Sequence, residues 1–193
     1  MLAEWNVELG AGDPQLEIPW SSEDGSVRFL DLKRQPELLL EISEACAYSE
    51  LAEFLSWANA PESSLETAKC DVWTSRQMDA EDAVFGEPCK FVSYVDLMFA
   101  ASQSKNTFVE NERFVKALTR LLRHAPEMAS AAEFIVRRCL DRREKSPGRE
   151  CFYITFYLQG YGADERQARS RWAIALKMVQ HAITQHCARP AQL

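Results

Sequence analysis

The segment CFYITFYLQGYG, Cys151 to Gly162, constrains the fold more than any other stretch of the chain. Phe152, Ile154, Phe156 and Leu158 alternate with Tyr153, Thr155 and Tyr157, a period of two that suits a strand with one face against a core. KFVSYVDLMFA (90–100) repeats the pattern, with Phe91, Val95, Leu97 and Phe99 set against Tyr94 and Asp96. Laying Phe91 on Phe152 brings Val95 onto Phe156 and Leu97 onto Leu158, so both strands turn their apolar side chains the same way. Each follows a shorter strand candidate, CDVWTSR (70–76) and EFIVRRCL (133–140), the second turning through Ser146-Pro147-Gly148.

Each pair of strands is followed by a helix. After SQSKN, Thr107 and Glu110 form a capping box, and Phe108, Phe114, Ala117, Leu118, Leu121 and Leu122 recur at helical spacing as far as HAPE. Gly160 and Gly162 release the chain into ADERQARSRWAIALKMVQHAITQ, where Ala168, Trp172, Ala175, Leu176, Val179 and Ile183 form one apolar stripe. Two successive ββα units predict an α+β fold, an antiparallel sheet with its helices packed mainly on one face. A third unit is foreshadowed at the N-terminus. There EIPW and VRFLDL flank the turn Glu23-Asp24-Gly25-Ser26, Pro36 opens a helical stretch toward Asn59, and FLDL echoes YVDL. The expected organisation is a single domain over 1–193, with a hairpin and helical embellishment over 1–68 and a duplicated core over 69–193.

At 193 residues, 47% of them hydrophobic and 26% charged, the chain can bury one core. Its longest apolar runs, LMFAA and WAIAL, fall far short of the ~20 residues that cross a bilayer, and no basic-then-apolar leader opens it. The expectation is a soluble protein of bacterial type, in the cytoplasm and off the membrane. Six widely spaced cysteines then read as reduced thiols. The net charge of −7 repels nucleic acid and suits a basic partner. Against that charge, RRCLDRREKSPGRE (137–150) gathers Arg137, Arg138, Arg142, Arg143, Lys145 and Arg149. On a strand Arg137 and Arg138 point to opposite faces, so the six cannot form one patch. Asp141, Glu144 and Glu150 can neutralise them locally, which predicts a solvated or self-paired hairpin, with docking on an acidic second subunit as its competitor.

The face of the sheet opposite the helices is the candidate site. If parity holds across the hairpins, it carries Asp71, Trp73, Tyr94, Asp96, Arg137, Cys139, Tyr153, Thr155 and Tyr157. Trp73, Tyr94, Asp96, Arg137, Tyr153 and Tyr157 are the candidate ligand-binding residues. Tyr153 and Tyr157 would stack on a ligand, Arg137 would hold a carboxylate or phosphate, and Asp96 would serve as a base. The structural alternative is a face roofed by the N-terminal region, with Asp96 and Arg137 as an internal ion pair.

Other chemistry finds little support. His181 and His186 stand five apart on a helix and diverge, Cys-x-x-Cys is missing, and neither G-x-S-x-G nor a Walker loop occurs, so no metal, cofactor or catalytic residue is implied. In LQGYGADE, Asp164 and Glu165 already satisfy the positive end of the helix. The sequence therefore points to a non-catalytic module that binds a protein partner and pairs with itself. A specific version is an acidic neutralising partner of a basic protein, with PELLLEISEACAYSELAEFLSWANAPESSLE (36–66) as its contact. The rival expectation is a small-molecule binder or enzyme using the aromatic and charged face.

Overall fold

The computed structural model describes residues 1–100, 106–143 and 147–187. Lys145 of the basic segment, Ser146 of the expected turn and most of SQSKN lie outside the described residues. Six strands form one mixed sheet: β1 (Leu2–Glu8), β2 (Gln15–Ile18), β3 (Leu65–Ser75), β4 (Cys89–Phe99), β5 (Ser130–Asp141) and β6 (Arg149–Gly162). The strand order is β1-β5-β6-β4-β3. β1 pairs with β5 in parallel from Ala131 to Arg137, and β2 continues the same edge from Arg138 to Asp141. Among the described residues four α-helices complete the fold: α1 (Ser43–Ala47), α2 (Ser49–Ala58), α3 (Phe108–Arg123) and α4 (Glu165–Cys187).

This corrects the expected antiparallel sheet of duplicated ββα units. β1 was not anticipated, and with β2 it makes the sheet mixed because both run parallel to β5. Nor do the two hairpins repeat one another. β5–β6 lies inside the sheet, with β1 and β2 on its flank, whereas β3 is an outer edge and only β4 of its hairpin touches β6. A buried central hairpin and a hairpin with a free edge meet different packing demands, so the shared alternation reflects a common core face and not a repeated unit. The third unit is likewise missing: Ser21 and Arg28 make a single antiparallel bridge, and Pro36–Glu41 is a 3-10 turn ahead of α1.

All four helices lie on one face. Phe91, Val95 and Leu97 of β4, Phe134 and Val136 of β5, and Ile154, Phe156 and Leu158 of β6 meet Trp172, Leu176 and Val179 of α4, Phe114 and Leu118 of α3, and Leu51, Phe54 and Leu55 of α2. The α4 stripe is buried as its spacing requires, and Trp172 Nε1 donates to Ser93 Oγ at 2.8 Å, so its one polar atom is satisfied inside the core. Thr107 caps α3 by accepting from Glu110 N. The helix passes β1, where Lys116 Nζ sits 4.9 Å from the centroid of Trp5. Gly160 and Gly162 do more than release the chain. A Cβ on Gly160 would overlap the Ala168 carbonyl oxygen and the Trp172 backbone nitrogen, so glycine is what lets α4 lie against β6.

Among the described residues no helix is long and apolar enough to cross a membrane.

Candidate functional site

The strand register places Trp73, Tyr94, Asp96, Arg137, Tyr153 and Tyr157 together on the face turned away from the helices. Rows cross the strands. One runs Asp71, Tyr94, Tyr157, Glu133, Glu4, and the next runs Lys69, Asp96, Thr155, Ile135. The Tyr94 and Tyr157 rings are 5.9 Å apart.

Two segments cover the ends of this face and leave a strip between them. At one end Trp20 and Phe29, from the arm that follows β2, pack with Leu16, Ile18, Met98, Cys139, Cys151 and Tyr153. Tyr153 is thereby buried and unable to stack on a ligand, and its hydroxyl is pushed up to about 12, first by burial and then by the charge of Asp96. At the other end the β3–β4 connection folds over: Tyr161 Oη donates to Asp82 Oδ1 at 2.8 Å, Lys90 Nζ reaches Asp82 Oδ2 at 2.6 Å, and Phe85 lies 4.5 Å from the Tyr161 ring.

Inside the strip, Asp96 and Arg137 do not meet directly. Thr155 Oγ1 accepts from Arg137 Nη1 at 2.7 Å and donates to Asp96 Oδ1 at 2.7 Å, while Arg137 Nε donates to Glu8 Oε2 at 2.7 Å. Four strands are thus joined by one polar chain, Glu8–Arg137–Thr155–Asp96, and Arg137 has its fork engaged on both sides. Burial pushes the Asp96 carboxyl up to about 6, against the hydrogen bond from Thr155 and the charges of Lys69 and Arg137. The Glu133 carboxyl is also raised, by burial and then by Glu4 and Glu8.

The raised Asp96 has a consequence for stability. A carboxyl whose folded pKa lies above its unfolded value stabilises fully below the unfolded pKa, and that contribution is lost as pH rises through about 6. The roughly two-unit rise corresponds to about 3 kcal/mol. Asp96→Asn keeps an oxygen to accept from Thr155 and removes the charge. It should raise the urea midpoint at pH 8 and have little effect at pH 4; equal shifts at both pH values would rule out charge burial as the cause.

Within the basic segment it is Arg143 that turns inward. Arg143, whose side chain is 9% exposed, donates from Nη1 and Nη2 to Glu66 at 3.0 and 2.6 Å and from Nε and Nη2 to Asp141 at 3.0 and 2.9 Å. Asp31 stands 3.7 Å away and the Phe29 ring lies 5.7 Å beneath the guanidinium. Burial alone would raise the Asp141 carboxyl, yet the bonds from Arg143 hold it below its ordinary value. Arg142 pairs with Glu17 at 2.8 Å in the open, and Arg149 lies 3.8 Å from Asp141.

A cleft of about 720 Å³ opens beside β3, which sequence reasoning missed. Its walls include Leu30, Leu32, Ile42 and Leu55, with Glu41, Glu44, Lys69, Asp71 and Tyr94 at polar positions. It exists because residues 19–42 wrap around the edge of β3 from the open face to the helical one. Trp20 Nε1 donates to Ala68 O at 3.0 Å, at the bulge between Thr67 and Lys69, and Lys33 Nζ donates to Ala60 O, Ser63 O and Leu65 O at 2.7, 2.5 and 2.9 Å. Beyond Ala68 no backbone group pairs with the outer edge of β3 among the described residues. There Val72 N donates to its neighbour Asp71 Oδ1 at 2.7 Å. Among the described residues neither Glu44 nor Asp71 has a basic side chain in ion-pair reach, whereas Arg28 stands 4.0 Å from Glu41 and Lys69 lies over the Trp20 ring.

Glu8 and the cleft are the functional candidates that the sequence reading lacked. The signal for Glu8 was present, since Ala3, Trp5 and Val7 alternate with Leu2, Glu4, Asn6 and Glu8 as on a half-buried strand. Comparison with known proteins finds no matching family, no similar curated protein and no similar solved structure.

Proposed function

We propose that the chain is a non-catalytic protein-binding module of the cytoplasm, and that its partner lays an extended, cationic segment along the outer edge of β3. The observation that carries this reading is the edge from Cys70 to Ser75, unpaired among the described residues, whose Cys70 and Asp71 line the cleft. An added strand would take its affinity from main-chain hydrogen bonds and its specificity from alternate side chains. Apolar ones would enter among Leu30, Leu32 and Ile42, and a lysine or arginine would meet the carboxylates of Glu44 and Asp71, which have no basic partner among the described residues. The overall charge of −7 would speed the approach of such a segment.

This narrows the acidic contact expected over 36–66. Glu50 pairs with Arg169 at 3.0 Å and Glu53 with Lys177, so those charges serve to fasten α2 to α4. The rival small-molecule reading has the half-buried Tyr94–Tyr157 pair in its favour. Against it, Asp96 is 5% exposed and Arg137 is already held by Glu8 and Thr155, so neither is free to grip a ligand.

The test is selection of ten-residue peptides from a random displayed library on the intact chain, followed by titration calorimetry. The expected binders alternate apolar residues with Lys or Arg and lose at least about tenfold in affinity on Asp71→Lys or Glu44→Lys, while Arg137→Ala leaves them unchanged. Binders that ignore both charge reversals and respond to Arg137→Ala would move the site to the tyrosine strip and overturn the proposal.

A further inference from the structure

Cys139 and Cys151 stand directly opposite one another in the β5–β6 hairpin. Directly opposed residues in an antiparallel pair project to the same side, and here both side chains enter the small cluster beneath Trp20 and Phe29, 1% and 2% exposed. Each thiol is the strongest influence on the other's ionisation.

The backbone spacing also suits a covalent link. Tyr161 N donates to Ala129 O, whereas Phe152 N turns to the side chain of Asn106. With an unbroken register along the hairpin, the odd-numbered residues of β6 therefore direct their backbone groups at β5, and Cys139–Cys151 is a hydrogen-bonded pair. The Cα atoms of such a pair lie about 5.5 Å apart, inside the roughly 4.4–6.8 Å that disulfides span. None of the other four cysteines faces a cysteine across a ladder.

We propose that this pair is a thiol-oxidation site, converted reversibly to an intramolecular disulfide by hydrogen peroxide. The neighbouring Cys139 thiol lowers Cys151, while Cys151 and burial raise Cys139, which favours Cys151 as the attacking thiolate. Its sulfur displaces hydroxide from the peroxide, and protonation of that leaving group gives one water and a sulfenic acid at Cys151. The Cys139 sulfur then attacks the sulfenic sulfur and the S–O bond breaks, releasing a second water and leaving the disulfide. Two electrons pass from the two sulfurs to the peroxide. The pair lies near the end of the hairpin, where local opening admits the oxidant most easily. The link closes the connection 142–148, which carries Arg143, so oxidation would fasten the tip that holds Glu66 and Asp31.

The experiment uses the full chain with Cys46→Ser and Cys187→Ser, which remove the two exposed thiols. After treatment with hydrogen peroxide it is denatured, alkylated and weighed. The expected product is lighter by two hydrogens before alkylation, takes up alkyl groups on two of its four remaining thiols, and yields a linked peptide pair containing Cys139 and Cys151. Dithiothreitol should reverse it, and Tm should be higher by roughly 5 °C or more in the oxidised form. In the same background Cys139→Ser should instead leave a sulfenic acid at Cys151 that dimedone traps. Retention of all four alkylatable thiols, oxygen added without a link, or a link through Cys70 or Cys89 would each overturn the proposal.

Discussion

Gly160→Ala should destabilise the protein by about 3 kcal/mol or more, at or beyond the upper end of what added methyl groups usually cost in a packed core. The new Cβ would meet the backbone of α4 at the Ala168 carbonyl oxygen and at Trp172, with Trp172 Cα only 2.8 Å away. Backbone cannot move aside as a side-chain tip can. To make room, α4 would have to lift from β6 and draw Trp172, which is fully buried, away from Phe91 and from its bond to Ser93. Urea denaturation measures the loss, and Gly12→Ala is the matched control because nothing lies within 4 Å of a Cβ built there. A Gly160→Ala midpoint equal to that of the control would show that α4 does not approach β6 as closely as described.

The second large effect belongs to Arg143→Ala, with an expected loss of about 3–5 kcal/mol, the range for removing one partner of a buried charge pair. Glu66 and Asp141, with side chains 7% and 8% exposed, would be left as neighbouring buried carboxylates with little to neutralise them. The sign of the pH dependence follows. Asp141 is held below its ordinary pKa, so its contribution to stability is present above the unfolded carboxyl value and is lost as pH falls through the lowered one. Removing Arg143 should therefore cost most near neutrality and progressively less in acid, where the two carboxyls take up protons. A uniform loss from pH 4 to pH 8, followed by denaturant titration, would indicate that packing on Phe29 and not charge is what Arg143 supplies.

What the sequence revealed, and what it concealed, follows the range of the interactions involved. Alternation in 90–100 and 151–162 is local, and it correctly assigns Tyr94, Asp96 and Tyr157 to one face and Val95 and Phe156 to the other. β1 pairs with residues about 130 positions away and in parallel, so no turn announced it, although its own alternation was readable. The expected duplication rested on two similar strands, and a similar core-facing pattern arises wherever one face of a strand is buried. The covering of Tyr153, the cleft, and the fate of Arg143 depend on where residues 19–42 travel after β2, a path set by Trp20 on Ala68 and Lys33 on three carbonyls. Nothing in the spacing of those residues specifies their distant partners. Likewise the facing of Cys139 and Cys151 follows from the register of β5 against β6, which no local spacing specifies.

Whether a partner binds at the free edge of β3 is tested by Val72→Pro, with Val72→Ala as the control for the packing of that side chain on the core. Val72 N donates to Asp71 Oδ1, so proline there should match Val72→Ala in urea stability to within about 1 kcal/mol while removing a donor that an added strand would use. Binding of the selected cationic peptides, measured by titration calorimetry, should fall at least about tenfold, a loss of one main-chain hydrogen bond plus the clash of the ring with the incoming strand. Unchanged affinity in a chain that folds normally would contradict the account.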